Sequence, residues 1–170
     1  EAFLVLRAQD VGLAVAYVPA MMIVMNVVYA LFAYPAGVAG DRRPARTPLL
    51  LGLGALIAAD VALALATTPW AALLGAAIWG LHMALTQGLL AKLVADAAPP
   101  DLRGTAFGVF HLVSGGALLL ASVIAGGLWT ALGPSATFLA GAGFAALAAA
   151  GLLLYRPRPR AANAATTPPG

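Results

Sequence analysis

His82, Asp60 and the stretch GVAGDRRPARTPL at residues 37–49 interrupt an otherwise apolar chain. Each carries groups able to do chemistry. His82 shares a helical face with Trp79 and Thr86, and imidazole is the side chain whose ordinary titration falls nearest neutrality. Such a trio could line a polar path or pass a proton; it could equally be a histidine hydrogen-bonded to the next helix. Gln87 points some 140° away from that face, by about 100° per residue. Asp60 could carry a proton or be packed against a neighbour. Asn26 and Tyr29 share a face that could meet a small molecule or bond between helices. His111, Ser114 and Ser122 form a further stripe, in which His111 reads as a gate or packing contact.

The elements that position these groups follow from composition. Of 170 residues, 62% are hydrophobic and only 9% are Asp, Glu, Lys or Arg, against about 25% charged in a soluble domain. So much apolar surface must face lipid. A span of the bilayer needs about 20 mainly apolar residues, and the runs predict an all-α integral membrane protein, a polytopic helical bundle. A partial span covers 1–9. Full spans cover about 14–36, 48–66, 70–94, 104–132 and 135–155. The remainder, 156–170, is Pro- and Ala-rich with no apolar period, and reads as a disordered tail. In lipid each backbone group must be satisfied within its own segment, which selects helices over open strands. A charged group at mid-bilayer costs about 2.5–3.5 kcal/mol on insertion scales, so His82 and Asp60 count as functional candidates by default.

Charge gives the topology. Eight of the nine basic residues, all but Arg7, fall on one side when the spans alternate. By the positive-inside rule that side is cytoplasmic, with the C-terminus, and the membrane is the cell's inner or plasma membrane. Residues Ala72, Ala76, Gly80, Ala84 and Gly88 recur every fourth position, and Gly104 and Gly108 form GxxxG; small stripes of this kind let helix backbones meet closely.

Within 37–49, Gly37, Asp41, Arg42, Arg46 and Leu49 match the pattern G-x-L-A-D-R-x-G-R-K-x-x-L, with Arg46 standing for Lys, Pro44 for the second Gly and Ala45 for the following Arg. This resembles the cytoplasmic loop signature of the major facilitator superfamily. The connector at 94–108, VADAAPPDLRGTAFG, resembles the entry to helix eleven of the same superfamily, and GLW at 127–129 with Gly133 fits the close of that helix. The resemblance implies the C-terminal six-helix half of that fold, from the end of helix seven through helix twelve. It also implies a secondary transporter working by alternating access, driven by a gradient, with proton-driven efflux the favoured form. Gly37, Asp41, Arg42 and Arg46 would form a conformational latch, Asp41 reaching a helix end in an N-terminal six-helix half that this chain lacks. Arg103 and His111 would sit at a cytoplasmic gate. The third full span would be cavity-lining helix ten, giving His82, Thr86, Trp79 and Gln87 as candidates for a substrate or proton pathway; the second would be helix nine, an outer scaffold helix, and Asp60 on it and Asn26 on the first full span join the candidates as polar groups within the spans.

The expected partners are the lipid bilayer, the missing N-terminal half, a small-molecule substrate and protons. Nucleic acid is not expected, because the basic residues sit at span ends. No cofactor and no metal are expected. There are no cysteines, and the two histidines lie on different spans without an HExxH pattern. The absence of paired acids, GxSxG and a P-loop speaks against an enzyme. The alternative is a stand-alone helical scaffold or assembly protein, or a non-functional fragment.

Overall fold

The computed structural model describes residues 2–154, and among them every regular element is helical. The tail at 156–170 lies outside the described residues. Helix α1 (Ala2–Asp10) is followed by α2 (Pro19–Arg42), α3 (Arg46–Leu65), α4 (Pro69–Ala97), α5 (Arg103–Leu132) and α6 (Pro134–Leu154), with single 3-10 turns at Val15–Tyr17 and Pro100–Leu102. Five segments are long and apolar enough to cross a membrane: Val15–Arg42, Arg46–Leu65, Pro69–Ala97, Pro100–Leu132 and Pro134–Leu154.

Local chemistry sets the ends. Pro19 and Pro69 stand in the first turns of α2 and α4, where a missing N–H costs nothing. Thr68 caps α4 by accepting the Ala71 amide at 3.3 Å. Gly133 closes α5 at φ +88°, a region that favours glycine, and returns its N–H to the carbonyls of Leu128 and Trp129 at 3.1 Å. Pro134 then opens α6. In one respect the sequence pattern misleads. The charged stretch does not begin as a loop, because α2 runs through Pro35, Gly37 and Asp41 to Arg42, and the chain breaks only across residues 43–45.

The helices alternate in direction, and polar contacts mark the two ends of the bundle. At one end, Lys92 of α4 meets Asp41 of α2, and Arg46 at the start of α3 donates to the carbonyl of Leu153 in the last turn of α6. At the other end, α1, the end of α3 and the start of α6 come together. Arg7 is 7% exposed. Its guanidinium donates to the carbonyls of Leu63 (2.9 Å), Ala64 (3.2 Å) and Ala66 (2.8 Å) and also holds Asp10, while Ser135 donates to Ala64 O at 2.7 Å.

Packing is strongest where α4 lies against α2 and α3, and where α3 lies against α6. The stripe Ala72, Ala76, Gly80 and Ala84 is buried. A Cβ at Gly80 would run into the Met25 carbonyl oxygen of α2, so only glycine permits that crossing. Gly104 and Gly108 have nothing within 4 Å of where a Cβ would stand, so their GxxxG packs against no described residue. Helix α5 contributes no buried residue.

Arg7 fixes the first prediction. Three terminal carbonyls share one buried cation, and a hydrogen bond to a charged group contributes about 1.5–3 kcal/mol. Arg7→Ala is expected to lower unfolding stability in detergent by roughly 2–4 kcal/mol. Arg7→Lys should recover only part of it, because an ammonium lacks the planar fork that reaches several carbonyls at once.

Candidate functional site

The site is built from the seam between α3 and α4. His82 Nδ1 donates to the carbonyl of Gly52 at 2.8 Å. A carbonyl can only accept, so Nδ1 carries the proton and Nε2 is left as the free nitrogen of the neutral ring. One turn on, Thr86 donates to the His82 carbonyl at 2.8 Å, and its methyl group occupies the space that a side chain at Gly52 would need. Gly75 plays the same part for Leu63, whose Cγ lies 2.6 Å from the position a Cβ would take. The two helices are therefore keyed together on either side of His82.

Asp60, also on α3, is 3% exposed. Its carboxylate lies against Gly141 of α6: Oδ2 would stand 2.7 Å from a Cβ there. Among the described residues it has no hydrogen-bond or salt-bridge partner. Trp79 packs edge-on to the His82 ring at 6.4 Å between centroids.

These three side chains, from two helices, line one cavity of about 470 Å³ bounded by α1, α3, α4, α5 and α6. Ser122 of α5 and Thr137 of α6 add hydroxyls to the wall. Phe3, Phe138 and Phe144 add aromatic surface. Trp129 lies between Phe3 and Phe138, at 5.6 and 6.2 Å, and ties α1, α5 and α6 together at the end near Arg7.

The remaining candidates lie elsewhere. Thr86 is buried in the α3–α4 seam rather than in the cavity wall. Gln87 is exposed on α4. Asn26 is exposed and donates to the Met22 carbonyl of its own helix at 2.7 Å; among the described residues it makes no bond between helices. Arg103 and His111 are exposed on α5, His111 between the rings of Phe107 (6.3 Å) and Phe110 (5.4 Å). Of the loop residues, Asp41 accepts from Lys92 at 2.6 Å, both side chains being largely in the open. Gly37, Gly40, Asp41 and Lys92 border a smaller hollow of about 250 Å³ between α2 and α4, with Tyr29 on its wall. Arg42 is exposed. Arg46 is engaged with the end of α6. No group of three or more His, Cys, Asp or Glu side chains that could hold a metal occurs among the described residues.

Two features were not read from the sequence as parts of a site. Arg7 was visible only as the single basic residue on the wrong side, with an acid three positions on. Gly141 gave no signal, because the side chain it accommodates belongs to another helix.

The sequence model of the Major Facilitator Superfamily matches residues 2–169. The chain belongs to the major facilitator superfamily. It is 34% identical over 158 residues to an uncharacterized MFS-type transporter from Methanocaldococcus jannaschii, a match that takes in 89% of this chain and 39% of that protein. The chain thus spans about two fifths of the length of this relative. No solved structure matches. Membership makes this a multi-pass chain of a membrane transporter family, and the five apolar helices agree with part of such a bundle.

Glycines of one stripe separate two roles. Gly80→Ala is expected to destabilise the bundle by about 1–3 kcal/mol, since the obstacle is backbone and cannot turn aside. Gly88→Ala, eight positions on, meets nothing within 4 Å and should be neutral or slightly stabilising through helix propensity. Thermal unfolding of both variants in one detergent would show the difference.

Proposed function

We propose that this chain supplies the C-terminal six-helix half of a gradient-driven secondary transporter, which moves a small solute by alternating access against a second, N-terminal helical half. The observation that carries the reading is the convergence of Asp60, Trp79 and His82 on one cavity at the level of the spans, within a chain of this superfamily. Transporters of repeated helical halves bind near the midplane and rock one half against the other.

Asp60 and His82 are the two titratable side chains on the cavity wall, and the proposal gives them the coupling proton. The proton enters the cell down its gradient, and the solute leaves the cell. The membrane is the plasma membrane, with the Asp41–Arg46 turn and the C-terminus on the cytoplasmic side, as the basic residues at that end favour. There Gly37, Asp41 and Arg42 act as the latch toward the other half. Lys92 holds Asp41 within this half, so the latch would work by exchange of partners. Thr86 supports His82 from behind, and Gln87 and Asn26 face outward for contacts with the second half. Arg103 and His111 stand at the cytoplasmic mouth.

An antibody to residues 160–170 tests the first part. The native polypeptide in source membranes should run at about twice the 17.0 kDa of this chain or more; a band near 17 kDa would remove the second half from the proposal. The coupling is tested on the native polypeptide in proteoliposomes with an imposed pH gradient. Solute flux should be abolished by Asp60→Asn. His82→Gln should lower it at least about tenfold, the scale on which losing a positioned proton-transfer group acts. Flux in Asp60→Asn equal to wild type would take the proton away from this site.

A further inference from the structure

We propose that the cavity between α1, α3, α4, α5 and α6 binds a hydrophobic monocation, with Asp60 as its counter-ion and the rings of Trp79 and the neighbouring phenylalanines as its walls. The proposal names the substrate class of the site described above and rests on that reading of it.

Four observations lead to it. The first is charge. Asp60 is 3% exposed and unpartnered among the described residues, and neither Lys nor Arg lines the cavity. The one buried cation among the described residues, Arg7, has four of its five N–H donors engaged by three carbonyls and Asp10. An acid taken from water without a partner is costly, and a bound cation offsets that cost. The second is the wall. Trp79, Phe3, Phe138 and Phe144 present aromatic surface to the same space, and ring faces attract a desolvated cation. The third is the scarcity of donors. Ser122 and Thr137 supply the hydroxyls on the wall and Trp79 an indole N–H, and Thr137 already donates to the Gly133 carbonyl at 3.2 Å. His82 has spent its Nδ1 proton on Gly52, leaving an acceptor. An anion would find few donors here and a carboxylate facing it, whereas a cation without donors of its own asks for none. The fourth is size. A volume of about 470 Å³ falls in the range of small-molecule pockets, about 300–1,000 Å³.

The occupant is therefore a single positive charge embedded in apolar or aromatic bulk. A dication would leave one charge unpaired in the same wall. Gly141 contributes by leaving the space in which the carboxylate lies.

The test uses the native polypeptide carrying this sequence, in lipid nanodiscs, with radiolabelled tetraphenylphosphonium as probe and triphenylphosphine oxide as a neutral probe of similar aromatic bulk. Binding is read at equilibrium, without a gradient. The cation is expected to bind at least about tenfold more tightly than the neutral probe. Asp60→Asn should cost the cation about tenfold or more while leaving the neutral probe unchanged, as loss of a desolvated charge partner predicts; Asp60→Glu should restore part of the preference. Equal binding of the two probes by the wild-type protein, or cation binding that survives Asp60→Asn, would overturn the proposal. Should Asp60→Asn fail to fold, the comparison of the two probes on the wild-type protein decides alone. The outcomes separate from those for transport. Gradient-driven flux of a neutral solute without cation binding would sink this inference and keep the transporter. Cation binding without flux of any solute would do the reverse.

Discussion

A helix that ends inside or near a bilayer leaves its last carbonyls without water, and the arrangement of this bundle turns on how those of α3 are satisfied. Arg7 donates to three of them, and Ser135 shares one. A cation at a helix C-terminus meets both the unpaired carbonyls and the negative end of the helix dipole. Because the two donors come from α1 and α6, satisfying α3 also fixes where α1 ends and α6 begins. The opposite end repeats the device with the helices exchanged, since Arg46 of α3 serves the last turn of α6. Helices α3 and α6 are thus tied at both ends by polar contacts, and between them the fit is made by small residues.

That fit explains why the polar side chains meet. Gly52, Gly75 and Gly141 each leave room for one side chain of a neighbouring helix: Thr86, Leu63 and Asp60. In lipid there is no hydrophobic drive between helices, so close backbone approach and interhelical hydrogen bonds carry the association. The keyed seam brings His82 within 2.8 Å of the Gly52 carbonyl and turns its ring beside Trp79. Removing the imidazole would cost that seam about 1 kcal/mol, the scale of an interhelical bond in membranes. His82 therefore belongs to both structure and site, and the two readings open to it from sequence are not exclusive.

How much of this was legible follows from what each feature is made of. Helices were legible because span length and apolar runs are properties of consecutive residues, and the loop motif because its spacing is local. The far boundary of α2 was not, since a charged stretch marks the end of an apolar run and not the end of a helix, and α2 continues through Gly37 and Asp41 to Arg42. Asp60 and His82 stood out as rare polar groups, but their meeting depends on the α3–α4 register and on Gly141, which no single stretch encodes. Arg7 was missed because its partners are backbone carbonyls, which have no residue identity to recognise. Asp41 drew attention to a distant helix end, while Lys92, 51 positions away, supplies a contact within the chain. Asn26 bonds within its own helix for a simple reason: a side chain one turn from a carbonyl can turn back on it.

Helix α5 shows what a bilayer permits that water does not. It is thirty residues long and contributes no buried residue, yet between its terminal turns each backbone group is satisfied within the helix, so lipid suffices to keep its middle formed. At one end Trp129 sits between Phe3 and Phe138, and Gly133 turns the chain into α6. Along the rest it forms one wall of the cavity that holds Asp60, with far less packing than α4 has against its neighbours. Of the five helices around that cavity, α3 and α4 are keyed to each other, α3 and α6 are tied at both ends, and α1 is held by a buried guanidinium. The wall with least burial is α5, which contributes no buried residue, so a change in cavity shape costs least if it is made there.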